Sequence, residues 1–175
     1  DVNPGELILL DDGKLVLTVL ETDKKEKIRC EVIQGGLLCS KKGVNFPNTK
    51  ISMPSLTEKD IEDLNYALKL GVDWIGLSFV RSAKCITDLK QKIAKKRSIA
   101  KVVAKIEKPE ALENIDEIIQ ESDALMVARG DLGVEIPYQN VPLIQKMIIG
   151  KSISKAKPVI VATQMMESML NSLTP

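Results

Sequence analysis

Four apolar segments of strand type each end in residues that could do chemistry. They are Trp74–Val80, Lys101–Glu107, Ala124–Ala128 and Pro158–Thr163. Their ends read Ser78-Phe79-Val80-Arg81, Lys105-Ile106-Glu107, Arg129-Gly130-Asp131 and Ala162-Thr163-Gln164. Side chains alternate along a strand, so Lys105 and Glu107 point to the same side. Asp131 follows from the next segment. Two carboxylates without a histidine or thiolate suit a hard cation, Mg2+ or Mn2+. A cation held by only two protein carboxylates keeps positions open for substrate oxygens, and can stabilise an enolate or bridge to a phosphoryl group. Lys105 adds a fixed positive charge for a developing oxyanion or a transferring phosphoryl. Ser78 and Thr163 offer hydroxyls to orient substrate or water. Each feature has a plainer reading. Arg129-Gly130-Asp131 can be a surface turn or, less aptly, an adhesion loop. Lys-x-Glu can be a salt bridge, and Thr163 can cap a following helix.

The elements that must position these groups follow from periodicity. Between the strands lie helical stretches: 55–70, opened by the capping-box form Ser55-Leu-Thr-Glu58 and stopped at Gly71; 86–96; 109–121, with Pro109 at its start; and 141–155, with Pro142 near its first turn. A further helix is expected over 165–170. Strands that recur with helices between them, apolar on both faces, predict a parallel sheet covered by helices. Four such units make half of a (β/α)8 barrel or most of a doubly wound sheet. No Gly-x-Gly-x-x-Gly or Walker A pattern follows any strand, which disfavours a dinucleotide site. In a parallel barrel the active site lies at the carboxyl ends of the strands, where the candidate residues fall.

Residues 1–50 have a different texture. Leu7–Leu10, Leu15–Leu20 and Lys27–Ile33 read as strands, joined by turns at Asp11-Asp12-Gly13 and Glu21–Lys25, and a further strand is expected over Leu37–Lys42. The expected organisation is thus a small β module over 1–50 and a β/α region over 51–175. The chain begins at Asp1, and it reads as a piece of a longer protein.

The bulk numbers narrow the function. The net charge of +1 over 175 residues gives no electrostatic case for nucleic acid or an anionic membrane, and aromatic residues at 3% offer no base-stacking surface. No apolar run reaches membrane-spanning length. Cys30, Cys39 and Cys85 show no CxxC pattern and suit reduced thiols in a cytoplasmic protein. With no histidine, a Ser-His-Asp triad, a Cys-His pair and His-ligated zinc are all excluded within the chain. The lysine-rich stretch Lys90–Arg97 reads as a solvated helix face.

At the quoted strand ends the chain resembles the pyruvate kinases. The segments carrying the resemblance are Ser40-Lys-Lys-Gly-Val-Asn45, Leu77-Ser-Phe-Val-Arg81, Ala104-Lys-Ile-Glu107, Met126-Val-Ala-Arg-Gly-Asp-Leu-Gly-Val-Glu-Ile-Pro137, Gln145-Lys-Met-Ile-Ile149 and Lys157-Pro-Val-Ile-Val-Ala-Thr-Gln-Met-Met-Glu-Ser-Met169. The resemblance implies phosphoryl transfer from phosphoenolpyruvate to ADP, giving pyruvate and ATP. It implies an α/β fold, a partial (β/α)8 barrel with part of a β-rich lid at its N-terminus. Lys105 then stabilises the transferring phosphoryl and the enolate, and Glu107 and Asp131 hold Mg2+. The backbone around Ala128, Arg129 and Gly130 cradles the substrate carboxylate. Thr163 stands where the enolate carbon is protonated, Ser78 and Phe79 line the substrate pocket, Lys42 reaches the nucleotide phosphates, and Asp12 approaches the site on lid closure.

The resemblance further implies K+ and a homotetramer for the full-length enzyme. The isolated chain is expected to be inactive. Departures from the family pattern occur at Lys108-Pro109, at Phe46-Pro-Asn48 and at Ala156, where a glycine is usual. If position 156 is left-handed, alanine there costs about 1 kcal/mol. Two other readings stay open. A metal-dependent aldolase or lyase passing through pyruvate enolate would share the barrel and carboxylates. A non-catalytic paralogue would bind or scaffold without turnover.

Overall fold

The computed structural model describes residues 1–52, 54–163, 165, 166, 169 and 170. It divides into two compact units, Asp1–Met53 with Gly133–Tyr138, and Pro54–Leu132 with Gln139–Pro175.

The first unit carries an antiparallel sheet in the order β3-β2-β1-β4, from β1 (Leu7–Leu10), β2 (Leu15–Thr22), β3 (Ile28–Gln34) and β4 (Val44–Asn45). The β1–β2 hairpin pairs Leu10 with Leu15, and its turn is left-handed at Asp11, Asp12 and Gly13. Aspartate and glycine tolerate that conformation better than other residues. In the second turn the Asp23 carboxylate accepts the backbone N–H groups of Lys25, Glu26 and Lys27, each at 2.9 Å. The core is small, built on Val2, Ile8 and Val19. The strand expected at Leu37–Lys42 does not form. Leu37 and Leu38 are exposed, and the fourth strand is the two-residue Val44–Asn45, paired with β1. Leucine content suggested a strand, but these residues gain no cross-strand partner.

The second unit holds a parallel sheet in sequential order: β5 (Trp74–Leu77), β6 (Lys101–Ile106), β7 (Ala124–Ala128) and β8 (Val159–Ala162). Among the described residues it also holds helices α1 (Glu58–Lys69), α2 (Ala83–Lys95), α3 (Pro109–Glu113), α4 (Ile115–Glu121) and α6 (Val141–Ser154), while α5 (Arg129–Glu135) begins in it and its last three residues fall in the first unit. The core interleaves sheet residues Leu77, Val102 and Val127 with helix residues Ile86, Ile118 and Ile148. The cluster takes alternate residues of β6 and β7, while Trp74 on β5 and Ile160 on β8 stay exposed, so the sheet is not buried on both faces along its length as the apolar runs predict.

Four local expectations shift. Helix α1 is capped by Thr57, not Ser55: the Asp60 N–H donates to Thr57 Oγ1 at 3.2 Å, and the Thr57 N–H donates back to the Asp60 carboxylate at 2.8 Å. The helix expected over 109–121 is two helices, interrupted at Asn114. The strand from Trp74 ends at Leu77, short of Val80. Arg129-Gly130-Asp131 is neither turn nor strand end but the first turn of α5. The expected helix over 165–170 and the residue Gln164 fall wholly or partly outside the described residues.

Three helices end on a left-handed residue, at Gly71, Arg97 and Ala156. At α6 the Lys157 N–H reaches the Ser152 carbonyl and the Ala156 N–H the Ile153 carbonyl, both at 2.9 Å. That is a Schellman closure, whose left-handed position favours glycine. Ala156, with φ of 53°, meets the condition under which alanine carries a cost.

Candidate active site at the strand ends

Strand register brings the candidates together in two groups. In the first, β5 and β6 pair Leu77 with Ala104, which places Ser78 level with Lys105. Lys105 Nζ donates to Ser78 Oγ at 3.0 Å and pairs with Glu107 Oε1 at 2.6 Å. The other carboxylate oxygen of Glu107 accepts the Phe79 N–H at 2.8 Å. Phe79 is left-handed, with φ of 52°. That uncommon backbone state for a bulky residue accompanies the bond to Glu107. The Glu107 side chain is 3% exposed and that of Lys105 28%, so the carboxylate is buried and the ammonium faces outward. Lys-x-Glu is thus a salt bridge, as the plainer reading has it. It is also a buried charge held by two donors, Lys105 Nζ and the Phe79 N–H, an arrangement costly to assemble for packing alone.

In the second group, β7 and β8 pair Ala128 with Ala162, so Arg129 and Thr163 follow side by side. The Gly130 N–H donates to Thr163 Oγ1 at 3.0 Å. A side chain at Gly130 would place its Cβ 3.1 Å from that oxygen, so Thr163 would have to give by a few tenths of an ångström. Thr163 is left-handed at φ of 64°, a conformation β-branched residues rarely adopt. Its hydroxyl receives a proton donor from Gly130, which leaves its own O–H to donate elsewhere. The Arg129 guanidinium donates to the Thr163 carbonyl from Nε at 3.1 Å and also from Nη2. Asp131 stands exposed in the first turn of α5.

The chemistry of these donors fits a hard cation. Each Glu107 oxygen has one described partner and a further lone pair, and Asp131 adds a second carboxylate. Among the described residues no group of three or more acidic, cysteine or histidine side chains stands close enough to hold a metal ion by itself.

In the first unit, Lys42 pairs with Asp11 at 2.9 Å, and Asp12 lies in the left-handed hairpin turn. Hydrogen bonds from Lys42 and Lys14 hold the Asp11 carboxyl below its ordinary value. The Asn45 amide donates to the buried Glu135 carboxylate at 2.7 Å. Three supporting roles escaped sequence reasoning: the Phe79 N–H, the Arg129 side chain, and Asn114, whose amide donates to the Arg81 and Glu110 carbonyls at 3.0 Å. Only Asn114 left a trace in the sequence, as a residue type that interrupts helices.

In parallel α/β sheets small ligands commonly bind at the carboxyl ends of the strands, which is where these charged and hydroxyl groups lie. The family model described as pyruvate kinase, barrel domain, matches residues 1–175. A pyruvate kinase of Corynebacterium glutamicum is 48% identical over 175 residues, all of this chain and 37% of that protein. Pyruvate kinase 2 of Synechocystis sp. is 48% identical over 176 residues, covering 30% of its length. A pyruvate kinase of Mycobacterium tuberculosis is 45% identical over 178 residues, 37% of its length. The chain belongs to the pyruvate kinase family, and it spans about a third of the length of these relatives.

Proposed function

We propose that this chain supplies part of the active site of a pyruvate kinase, which moves the phosphoryl group of phosphoenolpyruvate to ADP. The bond from phosphorus to the enol oxygen breaks and a bond to the ADP terminal phosphate oxygen forms. The enolate left behind takes a proton at carbon to give pyruvate. The observation that carries this reading is the Lys105–Glu107 pair, anchored by Ser78 and Phe79 at one end of a parallel sheet.

Lys105 keeps a third N–H for a phosphoryl or enolate oxygen, so its charge stands where negative charge moves. Glu107 and Asp131 would hold Mg2+ or Mn2+, which supplies further stabilisation of that charge. The backbone at Ala128, Arg129 and Gly130 receives the substrate carboxylate. Thr163 delivers a proton to the enolate carbon, and Ser78 and Phe79 line the pocket. Lys42 and Asp12 serve the nucleotide side, as residues of a β-rich lid over 1–50. Residues 51–175 belong to a (β/α)8 barrel in this reading. K+ dependence, a homotetramer and a cytoplasmic location are proposed for the full-length enzyme by family likeness. Among the described residues no helix is long and apolar enough to cross a membrane.

Pyruvate formation by the full-length enzyme that carries this chain, assayed with and without ADP, tests the proposal. Turnover that requires ADP and a divalent cation is expected. ADP-independent turnover, or cleavage of a hydroxy-keto acid, would favour a lyase. Absence of both turnover and divalent-cation binding would favour a non-catalytic relative. The 175-residue chain alone is expected to be inactive.

A further inference from the structure

Thr163 is held from two sides by consecutive residues. Gly130 engages its hydroxyl, and Arg129 engages its carbonyl through two nitrogens of one guanidinium. The same guanidinium reaches Gln145 Oε1 on α6 at 3.5 Å and Met165 Sδ at 3.0 Å. The planar fork is therefore braced on a helix and on the chain just beyond β8. A rigid fork with several donors loses less freedom per bond than a flexible ammonium would.

The backbone state of Thr163 shows what the brace is for. A β-branched residue enters the left-handed region only when its surroundings over-determine it. The Ala128–Ala162 register sets Arg129 beside Thr163, but register alone does not rotate a peptide. Two donors of one guanidinium hold the Thr163 carbonyl. With that carbonyl held and Oγ1 accepting from the Gly130 N–H, both polar groups of Thr163 are tethered to consecutive residues.

We propose that the Arg129 side chain is a positioning residue for the proton transfer. It holds Thr163 in its left-handed conformation and thereby aims the Thr163 hydroxyl. This rests on the reading that Thr163 serves the carbon that takes up the proton, and it gives Arg129 a role beyond the carboxylate cradle of its backbone. An enzyme that protonates an enolate also exchanges the C3 hydrogens of pyruvate with solvent, by microscopic reversibility. The exchange isolates the proton step from phosphoryl transfer.

The test compares Arg129→Met, Arg129→Lys, Thr163→Ala and the double variant Arg129→Met/Thr163→Ala in the full-length enzyme. Pyruvate exchange in D2O is followed by proton NMR, alongside kcat and KM for phosphoenolpyruvate. Arg129→Met is expected to slow exchange by up to about a hundredfold, the loss a misaimed group can produce. KM should change far less than kcat, because the backbone cradle remains. Arg129→Lys, which keeps the charge and N–H donors but not the planar fork, should recover part of the exchange. The double variant should be no slower than Thr163→Ala alone, since both changes act on one hydroxyl. Wild-type exchange in Arg129→Met, or additive losses in the double variant, would overturn the inference while leaving the role of Thr163 intact. Wild-type exchange in Thr163→Ala would overturn both. If Arg129→Met does not fold, the Arg129→Lys exchange rate decides: a partial loss supports the role, and an unchanged rate overturns it.

Discussion

The two strand-end groups solve different problems with one device. At β5–β6 a left-handed Phe79 turns its N–H onto the buried Glu107 carboxylate. At β7–β8 a left-handed Thr163 turns a hydroxyl and a carbonyl toward Gly130 and Arg129. The first group holds charge and the second aims a proton-bearing side chain. Backbone strain is tolerated in both where it places a polar atom, and the stabilising bonds sit next to the strain. The first group should therefore respond to lost charge through both stability and rate, and the second to lost shape mainly through rate.

The largest expected effect follows from removing the partner of a buried charge. Lys105→Met should destabilise the chain by about 3 kcal/mol in urea, because Glu107 would stay buried and unpaired. The double variant Lys105→Met/Glu107→Leu should regain most of that loss. No change in the single variant would mean that the Lys105–Glu107 pair contributes nothing to stability. At the second group, Gly130→Ala drives a methyl to 3.1 Å from Thr163 Oγ1. A drop in turnover of the full-length enzyme by about tenfold or more, with a melting temperature near wild type, is expected from misplacing that hydroxyl. Equal turnover would show that the close approach is slack.

Smaller effects separate strain that serves the site from strain that does not. Ala156 closes α6 in a left-handed state with no role at the strand ends. Ala156→Gly should stabilise the chain by about 0.5–1 kcal/mol with no change in rate, measurable as a shifted urea midpoint. The smallest effect lies in the first unit. Glu6 accepts from the Asn3 amide at 3.0 Å and from Thr49 Oγ1 at 2.6 Å, and these bonds with the Asn3 N–H lower its carboxyl from 4.5 to about 2. A carboxyl lowered on folding stabilises above its unfolded value, and that contribution fades as the pH falls from about 4.5 towards 2. Glu6→Gln should flatten stability against pH across that window and leave it unchanged in slope near neutrality.

Legibility in the sequence followed the range of the interactions involved. The strands near 74, 101, 124 and 158 were readable because short apolar, β-branched runs separated by helical segments mark a parallel sheet. The same-side placement of Lys105 and Glu107 followed from strand alternation alone. Helix α5 was hidden, because Arg-Gly-Asp-Leu-Gly carries two glycines and reads locally as a turn. The cap of α1 was misplaced by two residues because Ser55-x-x-Glu58 and Thr57-x-x-Asp60 overlap, and only geometry selects between them. Leu37 and Leu38 suggested a strand whose partner never arrives. The break at Asn114 and the forked contact of Arg129 depend on carbonyls distant in sequence or across strands, which leave no periodic mark.

The most direct test of the central claim is kcat for pyruvate formation in the full-length enzyme carrying Lys105→Met, measured below its melting temperature at saturating ADP and divalent cation. Loss of a charge that stabilises the transferring phosphoryl predicts a fall of about a thousandfold or more. A kcat within twofold of wild type, in a folded variant, would contradict the claim that the Lys105–Glu107 strand end performs phosphoryl transfer.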